Sequence, residues 1–248
     1  MIGEYTGVYS VLLYLIGLVD GGFRFVKRSS LAAMIDHTLL RAFATETDMR
    51  ELCEEARLYG FRAVSVNPVW VSYCAKRLRE SKVGIDACIA FPLGADTARM
   101  KIEATRDAIQ NGATEIDMVI NIGALKSGYT QYVEKEIGAV VKAAKSAPVK
   151  IILEASYLSN EEKTAVCEMS MRCGAAYVKT ATGFGKGGAA VDDVKLMKGV
   201  VGNTLGIKAA GGIRTYANVM RFIEAGATCI GTSAGITILE DAPEDNKG

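Results

Sequence analysis

Two lysines follow short apolar runs and are themselves followed by small residues and glycine. Lys179 stands in AYVKTATGF (residues 175–183) and Lys208 in LGIKAAGG (residues 205–212). Burial and a second cation nearby both lower the pKa of a lysine amine, because both disfavour its charged form. A neutral amine attacks a carbonyl carbon, so the pair predicts a Schiff-base nucleophile. Two lysines with their ammonium groups in water at a rim are the alternative.

Schiff-base chemistry also needs proton transfers, and acidic side chains close other predicted strands. Asp117 in EIDMVINIGAL is expected to move protons together with Lys208. A carboxylate that only balances lysine charge is the alternative. Asp36 in IDHTLL either hydrogen-bonds Lys208 or orders the first loop.

Two further polar residues carry weaker signals. Glu154, at the end of KIILE, is either a catalytic candidate or a charge partner for Lys179. His37 is the only histidine in the sequence. A lone histidine is more often structural, so we favour that role despite its useful pKa.

Three glycine-rich turns in the last third of the chain are suited to a phosphate group. They are TGFGKGG (182–188), AGGIR (210–214) and GTSAG (231–235). Glycine lets backbone N–H groups approach phosphate oxygens, and barrel enzymes often bind phosphate after the seventh and eighth strands. Ser233 could add a hydroxyl group, and Lys186 or Arg214 could add positive charge. The hydroxyl groups of Thr180 and Thr182 are expected to bind other substrate oxygens.

Short β-like runs alternate with amphipathic stretches after Ser30, which predicts parallel strands joined by helices. Helices are expected to end at Gly60, Gly112, Gly174 and Gly226, each just before a strand. The predicted strands lie near residues 32–36, 62–66, 85–90, 114–119, 149–154, 176–180, 205–209 and 228–231. Eight strand–helix units favour a single α/β domain, a closed (β/α)8 TIM barrel with its active site at the C-terminal strand ends. An open doubly wound sheet is less favoured, since no GxGxxG follows the first strand.

Composition limits the kinds of partner. The 29 Lys and Arg nearly balance the 28 Asp and Glu, and no basic cluster is interleaved with aromatics, so we expect a small-molecule partner and not nucleic acid. The six cysteines form no CxxC pair. Neither a metal site nor a disulfide framework is therefore expected, and a reducing cytoplasm fits.

The N-terminal extension, residues 1–30, is predicted to be separate from the barrel, which occupies 31–248. Its apolar stretch at 8–19 has 12 residues, whereas a membrane span needs about 20. A signal peptide is disfavoured because Glu4 precedes the stretch and DGG follows it. We expect an extra helix that packs on the body or on a neighbouring subunit, which favours a homo-oligomer, either a dimer or a tetramer.

Six motifs in this order resemble those of the deoxyribose-phosphate aldolase family, class I aldolases on a (β/α)8 barrel. The motifs are IDHTLL, IAFPLG, EIDMVINIGALKSG, YVKTATGF, IKAAGGIRT and GTSAG. The resemblance covers about residues 31–240 and implies that Lys179 is the Schiff-base nucleophile, Lys208 the lysine that perturbs it and Asp117 the proton relay. It also implies active-site positions for the following residues: Asp36 and Thr38 in the first loop, and Gly183, Gly211, Gly212 and Ser233 at the phosphate.

The reaction implied by the resemblance is reversible cleavage of 2-deoxy-D-ribose 5-phosphate to acetaldehyde and D-glyceraldehyde 3-phosphate, without metal or organic cofactor. Two departures stand out. Phe184 occupies the position after TG where some members have lysine, and the chain ends PEDNKG where some members end in tyrosine. Alternatives are another Schiff-base barrel aldolase, of fructose-bisphosphate or transaldolase-like type, or a non-catalytic barrel that binds phosphate sugars.

Overall fold

The chain forms a closed barrel of eight parallel strands, numbered in chain order around the barrel. The computed structural model describes residues 26–244. Each strand pairs with the next one along the chain, and β8 pairs with β1. This confirms the predicted (β/α)8 barrel and excludes the open sheet. The predicted helix at residues 8–19 lies outside the described residues.

The strands are short and buried. They are β1 Ile35–Leu39, β2 Ala63–Val66, β3 Gly84–Ile89, β4 Glu115–Val119, β5 Val149–Ile152, β6 Tyr177–Lys179, β7 Gly206–Ala210 and β8 Cys229–Thr232. Six of them start and end within one residue of the predicted bounds. Parallel strands covered by helices on one side and closed around a core on the other are buried on both faces.

The first and fifth strands differ most from their predicted bounds. The first was predicted at 32–36, but residues 28–32 form a helix and the strand runs from Ile35 to Leu39. A short apolar run such as LAAMI fits helix and strand equally well. The fifth was predicted to reach Glu154 but ends at Ile152. Glu154 has φ 53°, a left-handed conformation that ends the extended chain.

Helices connect the strands. In residues 26–244 they are α1 Arg28–Ala32, α2 Glu46–Tyr59, α3 Val71–Arg77, α4 Ala98–Gln110, α5 Ile122–Lys126, α6 Thr130–Ala143, α7 Asn160–Arg172, α8 Val191–Val201, α9 Tyr216–Glu224 and α10 Gly235–Glu240. The four glycines predicted at helix ends all have positive φ, between 69° and 110°. In the described part of the chain, no helix is long and apolar enough to cross a membrane.

A buried ion pair holds the loop after β4. The ammonium group of Lys101 on α4 lies 2.8 Å from a carboxylate oxygen of Glu136 on α6, and both side chains are fully buried. Lys101 also donates to the carbonyl oxygen of Val119, and Glu136 accepts from the backbone N–H of Asn121. The pair therefore fixes the chain where it leaves β4.

Glu136→Leu should lower the free energy of unfolding by about 3–5 kcal/mol, because it leaves Lys101 as an unpaired buried charge. The double variant Lys101→Met/Glu136→Leu should recover most of that loss, since no charge then remains buried. Chemical denaturation of the wild type and both variants measures the difference. An equal loss in the single and double variants would contradict the role assigned to the pair.

Candidate active site

Each odd-numbered strand contributes one fully buried charged side chain to the barrel interior. The four are Asp36 on β1, Asp86 on β3, Lys150 on β5 and Lys208 on β7, all 0% exposed. Interior side chains of such barrels stack in layers supplied by alternate strands, and these layers are ordinarily apolar. Here one layer consists of two carboxylates and two ammonium groups.

Asp117 of β4 joins this layer through both of its oxygens. Lys208 lies 2.7 Å from Asp117 Oδ2 and 2.8 Å from Asp86 Oδ2. Lys150 lies 3.1 Å from the Oδ1 atoms of the same two carboxylates. Each lysine thus bridges both aspartates. Lys208 also contacts Asp36 at 2.6 Å, which confirms the predicted contact between these two residues.

Lys179 lies on the open side of the cluster. It is the last residue of β6 and faces Lys208 directly in the strand register. Its ammonium nitrogen lies 2.6 Å from Asp117 Oδ2, the same oxygen that Lys208 binds. The predicted neighbourhood of the two lysines is therefore confirmed, with one carboxylate oxygen between them.

The floor of the cluster is made by residues toward the N-terminal ends of the strands. Arg62 donates to both oxygens of Asp36, at 2.8 and 3.0 Å, and to both oxygens of Glu115, at 2.8 and 2.6 Å. Glu115 also lies 2.5 Å from Lys150. Bidentate pairing of this kind satisfies both partners and fixes their orientation.

The carboxylates change the electrostatics expected for the lysine pair. Burial lowers the pKa of Lys208, but Asp117, Asp36 and Asp86 outweigh this and hold it well above its usual range. Like-charge repulsion between the two lysines is therefore not the only charge interaction of Lys208, because three carboxylates surround it. The lowered pKa expected for one lysine of the pair stays a prediction.

The acidic groups differ among themselves. Burial raises the pKa of Asp117, but Lys150, Lys179 and Lys208 hold it well below its usual range. Burial likewise opposes the charge of Asp36, which Arg62 and Lys208 stabilise, so its pKa is lowered. The pKa of Asp86 is instead raised, by burial and by the neighbouring Asp117.

A cavity opens at the C-terminal ends of the strands, above Lys179. Its volume of about 310 Å³ is sufficient for a small sugar phosphate. The predicted residues among its lining are Thr38, Lys179, Thr182, Gly183, Gly211, Gly212, Arg214 and Ser233. Arg41, from the loop after β1, also lines it and was not predicted. The three glycine-rich turns therefore meet at one mouth, and Thr38 also lies there, although on β1 and not in the first loop as expected.

Three of the predicted polar residues lie outside this cavity or form hydrogen bonds with other parts of the protein. Lys186 is exposed and is not among the cavity-lining residues, so its contact with phosphate stays a prediction. Thr180 exchanges hydrogen bonds of 3.0 Å with the backbone of Ala210, which fastens β6 to β7. Glu154 accepts from the N–H and hydroxyl groups of Thr182 and is not the charge partner of Lys179.

His37 is structural, as favoured from the sequence. Its Nε2 atom lies 2.7 Å from Glu55 on α2, and its ring packs on Phe61 with centroids 4.7 Å apart. Burial lowers its pKa despite the hydrogen bond to Glu55. The side chain therefore fastens β1 to the helical layer.

Two aromatic rings cover one side of the mouth. Phe91 lies with its ring centroid 5.9 Å from the ammonium nitrogen of Lys179. Phe184 packs edge-on against Phe91 at 5.4 Å and is 56% exposed. The residue that replaces the lysine of some relatives thus contributes an apolar wall and not charge.

Asp86, Lys150, Glu115 and Arg62 were not predicted. The sequence does mark Asp86 and Lys150, because each is the single charged residue in an apolar run, GIDACI and VKII respectively. A charge in a strand buried on both faces must have a partner in the interior. Which partner it finds depends on barrel closure, which the local sequence does not show.

The acidic cluster favours internal ion pairs over a metal ion. Ligand atoms of Asp86, Cys88 and Asp117 lie within 4.8 Å of one another. However, Lys150 and Lys208 already bind both carboxylates. Burial also raises the pKa of the Cys88 thiol to about 12, so it stays protonated. This donor set is therefore a poor fit to a metal.

A larger cavity, about 550 Å³, lies at the opposite end of the barrel, where Arg62, Pro148 and Tyr177 are among its lining residues. Active sites of these barrels lie at the C-terminal face. Arg62 is already paired with two carboxylates there. We therefore assign the active site to the smaller cavity above Lys179.

A barrel with a buried lysine–carboxylate cluster beneath glycine-rich turns has the groups that a barrel lyase of the aldolase class requires. The family profile described as DeoC/LacD family aldolase matches residues 30–241. The chain therefore belongs to the DeoC/LacD aldolase family and is an aldolase, a carbon–carbon lyase.

Curated relatives and a solved structure agree with this assignment. A deoxyribose-phosphate aldolase from Caldanaerobacter subterraneus subsp. tengcongensis is 51% identical over 222 residues, 88% of this chain and 96% of that protein. One from Streptococcus pneumoniae is 52% identical over 206 residues, 83% of this chain and 94% of that protein. The tetrameric deoxyribose phosphate aldolase from Aeropyrum pernix superposes with TM-score 0.82 at 32% identity, covering 96% of this chain and 97% of that one.

Asp36→Asn should lower the free energy of unfolding by about 1.5–3 kcal/mol at pH 7, because Arg62 and Lys208 each lose one charged partner and keep others. The folded-state pKa of Asp36 is depressed. Its stabilisation is thus fully present above the ordinary carboxyl pKa of about 4 and is lost as the pH falls below it. Denaturation at pH 7 and pH 3 should show a smaller difference at pH 3. The exposed Asp107→Asn is the control, and a difference for Asp36→Asn that is equal at both pH values would contradict the assignment.

Proposed function

We propose that the protein reversibly cleaves 2-deoxy-D-ribose 5-phosphate to acetaldehyde and D-glyceraldehyde 3-phosphate through a Schiff base on Lys179. The observation that carries the proposal is the position of Lys179. Of the three cluster lysines it alone lines the cavity at the mouth, while Lys150 and Lys208 are sealed beneath it. The substrate follows the names of the curated relatives, which are deoxyribose-phosphate aldolases.

The first step joins the amine of Lys179 to the aldehyde carbon of the open-chain sugar. Addition gives a carbinolamine, and loss of water gives an iminium ion. Asp117, 2.6 Å from the amine nitrogen, is placed to take the proton that the amine releases and to return it to the departing hydroxyl group. The Phe91 ring and the barrel wall limit access of water to the nitrogen.

The second step breaks the bond between carbons 2 and 3. The iminium ion accepts the bonding electrons and becomes an enamine, while the hydroxyl group on carbon 3 loses its proton and becomes the aldehyde of D-glyceraldehyde 3-phosphate. Protonation of the enamine at carbon 2 and addition of water release acetaldehyde and restore the amine. We assign both proton transfers to Asp117, directly or through a bound water.

The phosphate end of the substrate fits the glycine-rich turns. Gly183, Gly211 and Gly212 have φ values of 82°, 102° and 76°, a left-handed backbone that glycine adopts without strain. Ser233 lines the same cavity, two residues before α10 begins. Arg214 also lines it and supplies positive charge. These groups take the place of the lysine that is absent at position 184.

Two broader assignments belong to the same proposal. We assign the enzyme to the cytoplasm, in keeping with six free cysteines that form no disulfide among the described residues. We also assign it a homo-oligomeric state, either dimer or tetramer, in line with the tetrameric relative.

Acetaldehyde with borohydride should add an ethyl group to Lys179, because reduction fixes the iminium bond as a stable amine. Mass spectrometry of peptides maps the labelled position. Lys179→Met should abolish both the adduct and the cleavage activity. An adduct on Lys208 in the wild type, or one formed only with dihydroxyacetone phosphate, would contradict the proposal.

The matched control for this experiment is Lys195→Met, on α8. Lys195 is exposed and does not line the cavity. The variant should therefore keep the adduct on Lys179 and the cleavage activity. Loss of the adduct in this variant would show that trapping does not report on the Lys179 amine alone.

Arg214→Met should raise KM for 2-deoxyribose 5-phosphate by about tenfold or more, since a hydrogen bond to a charged group contributes about 1.5–3 kcal/mol. KM for unphosphorylated 2-deoxyribose should change little, because that substrate lacks the group Arg214 binds. Steady-state kinetics with both substrates measure the contrast. Arg221→Met, on the exposed face of α9, is the matched control. An equal rise in KM for both substrates would contradict phosphate binding by Arg214.

A further inference from the structure

Asp86 is a fully buried carboxyl group that the mechanism above leaves without a role. It lies on β3, and charged or titratable groups face it from several strands. These are Asp36 on β1, Asp117 on β4, Lys150 on β5 and Lys208 on β7, with Cys88 farther along β3 itself. From β2, the hydroxyl group of Ser65 donates to Asp86 Oδ2 at 2.8 Å.

The carboxyl groups of Asp86 and Asp117 are held side by side. Lys208 binds the Oδ2 atoms of both, and Lys150 lies 3.1 Å from the Oδ1 atoms of both. Both Oδ1 atoms are buried, and neither accepts a well-oriented hydrogen bond. A proton on one of these carboxyl groups would give the other a donor, which two carboxylates cannot do.

Acidic and basic groups are equal in number in the cluster, so a proton can move from a base to an acid within it. Its members are four acids (Asp36, Asp86, Glu115 and Asp117) and four bases (Arg62, Lys150, Lys179 and Lys208). Transfer of one proton from Lys179 to a carboxyl group leaves the total charge unchanged. It converts the ammonium group into the free amine that attack on an aldehyde requires.

Asp86 is the acid best suited to hold this proton. Asp36 accepts two hydrogen bonds from the guanidinium group of Arg62. Asp117 lies 2.6 Å from Lys179 and has to be ionised to take a proton from that amine. Asp86 is paired with neither Arg62 nor Lys179, and its charged partners Lys150 and Lys208 are shared with Asp117. Its pKa is raised by burial and by Asp117, whereas those of Asp36 and Asp117 are lowered.

We propose that Asp86 is an uncharged carboxylic acid in the resting enzyme, hydrogen-bonded to the Asp117 carboxylate, and that Lys179 is its counterpart, a free amine. Asp86 is thus a positioning residue that acts through Asp117. The inference rests on the proposed Schiff-base function, because only that function requires a free amine. Two carboxyl groups that share one proton are a recurrent arrangement where like charges are held together.

Infrared spectroscopy of the wild type in D₂O at neutral pH tests the charge state without any substrate. The proposal expects the carbonyl band of a protonated carboxylic acid, shifted by ¹³C-labelled aspartate and absent in Asp86→Asn. Ser65→Ala should move the band without removing it, since it takes away a hydrogen bond to the same group, and this variant serves if Asp86→Asn does not fold. Absence of the band from the wild type would overturn the proposal.

The pH dependence of borohydride trapping gives a second readout. Asparagine mimics the neutral acid, so Asp86→Asn should leave the acid limb of the profile where it is in the wild type. If Asp86 were ionised, the variant would remove a negative charge beside the amine and shift that limb to lower pH by about one unit or more. Such a shift would overturn the proposal. If the infrared band is present but neither the wild type nor a variant forms the adduct, the result supports a protonated Asp86 and contradicts the Schiff-base function.

Discussion

Charges buried in the barrel interior are tolerated because they neutralise one another. An isolated buried ion carries a desolvation penalty of several kcal/mol, and its partners offset this only with good geometry. Here each cluster lysine contacts at least one carboxylate, and Asp36 and Glu115 share Arg62. Removal of one partner takes a charge contact from at least one other member, so the cluster is coupled to folding as well as to chemistry.

The fold provides this arrangement through strand register and small residues. Parallel pairing sets Lys179 opposite Lys208, so both side chains enter the interior from neighbouring strands. Gly231 on β8 leaves space for the Lys208 side chain, since an added Cβ atom would lie 3.0 Å from its Cε atom. Gly188 lies so close to the backbone of Gly211 that a side chain there would displace the phosphate turns. Rigid strands thus hold the charges, and glycine turns form the mouth.

Much of this could be predicted from the sequence, and the limits have physical causes. Lys179, Lys208 and Asp117 stood out because a charge is conspicuous in an apolar strand, and the glycine turns because they repeat after successive strands. We expected three charged residues to be the last residues of their strands: Asp36, Asp117 and Lys208. Each instead lies inside its strand, with its side chain in the barrel interior. Their partners Asp86 and Lys150 come from strands far apart in sequence. Barrel closure brings them together, and no local pattern reports it.

Competitive labelling of lysine amines with a small acylating reagent at neutral pH, mapped by peptide mass spectrometry, distinguishes a free amine at Lys179 from an ammonium group. Lys179 is expected to react faster than the exposed Lys186, because its amine is free, while Lys150 and Lys208 stay unlabelled in the folded enzyme. Reaction of Lys179 no faster than that of Lys186, or labelling of Lys208 first, would contradict a free amine at Lys179.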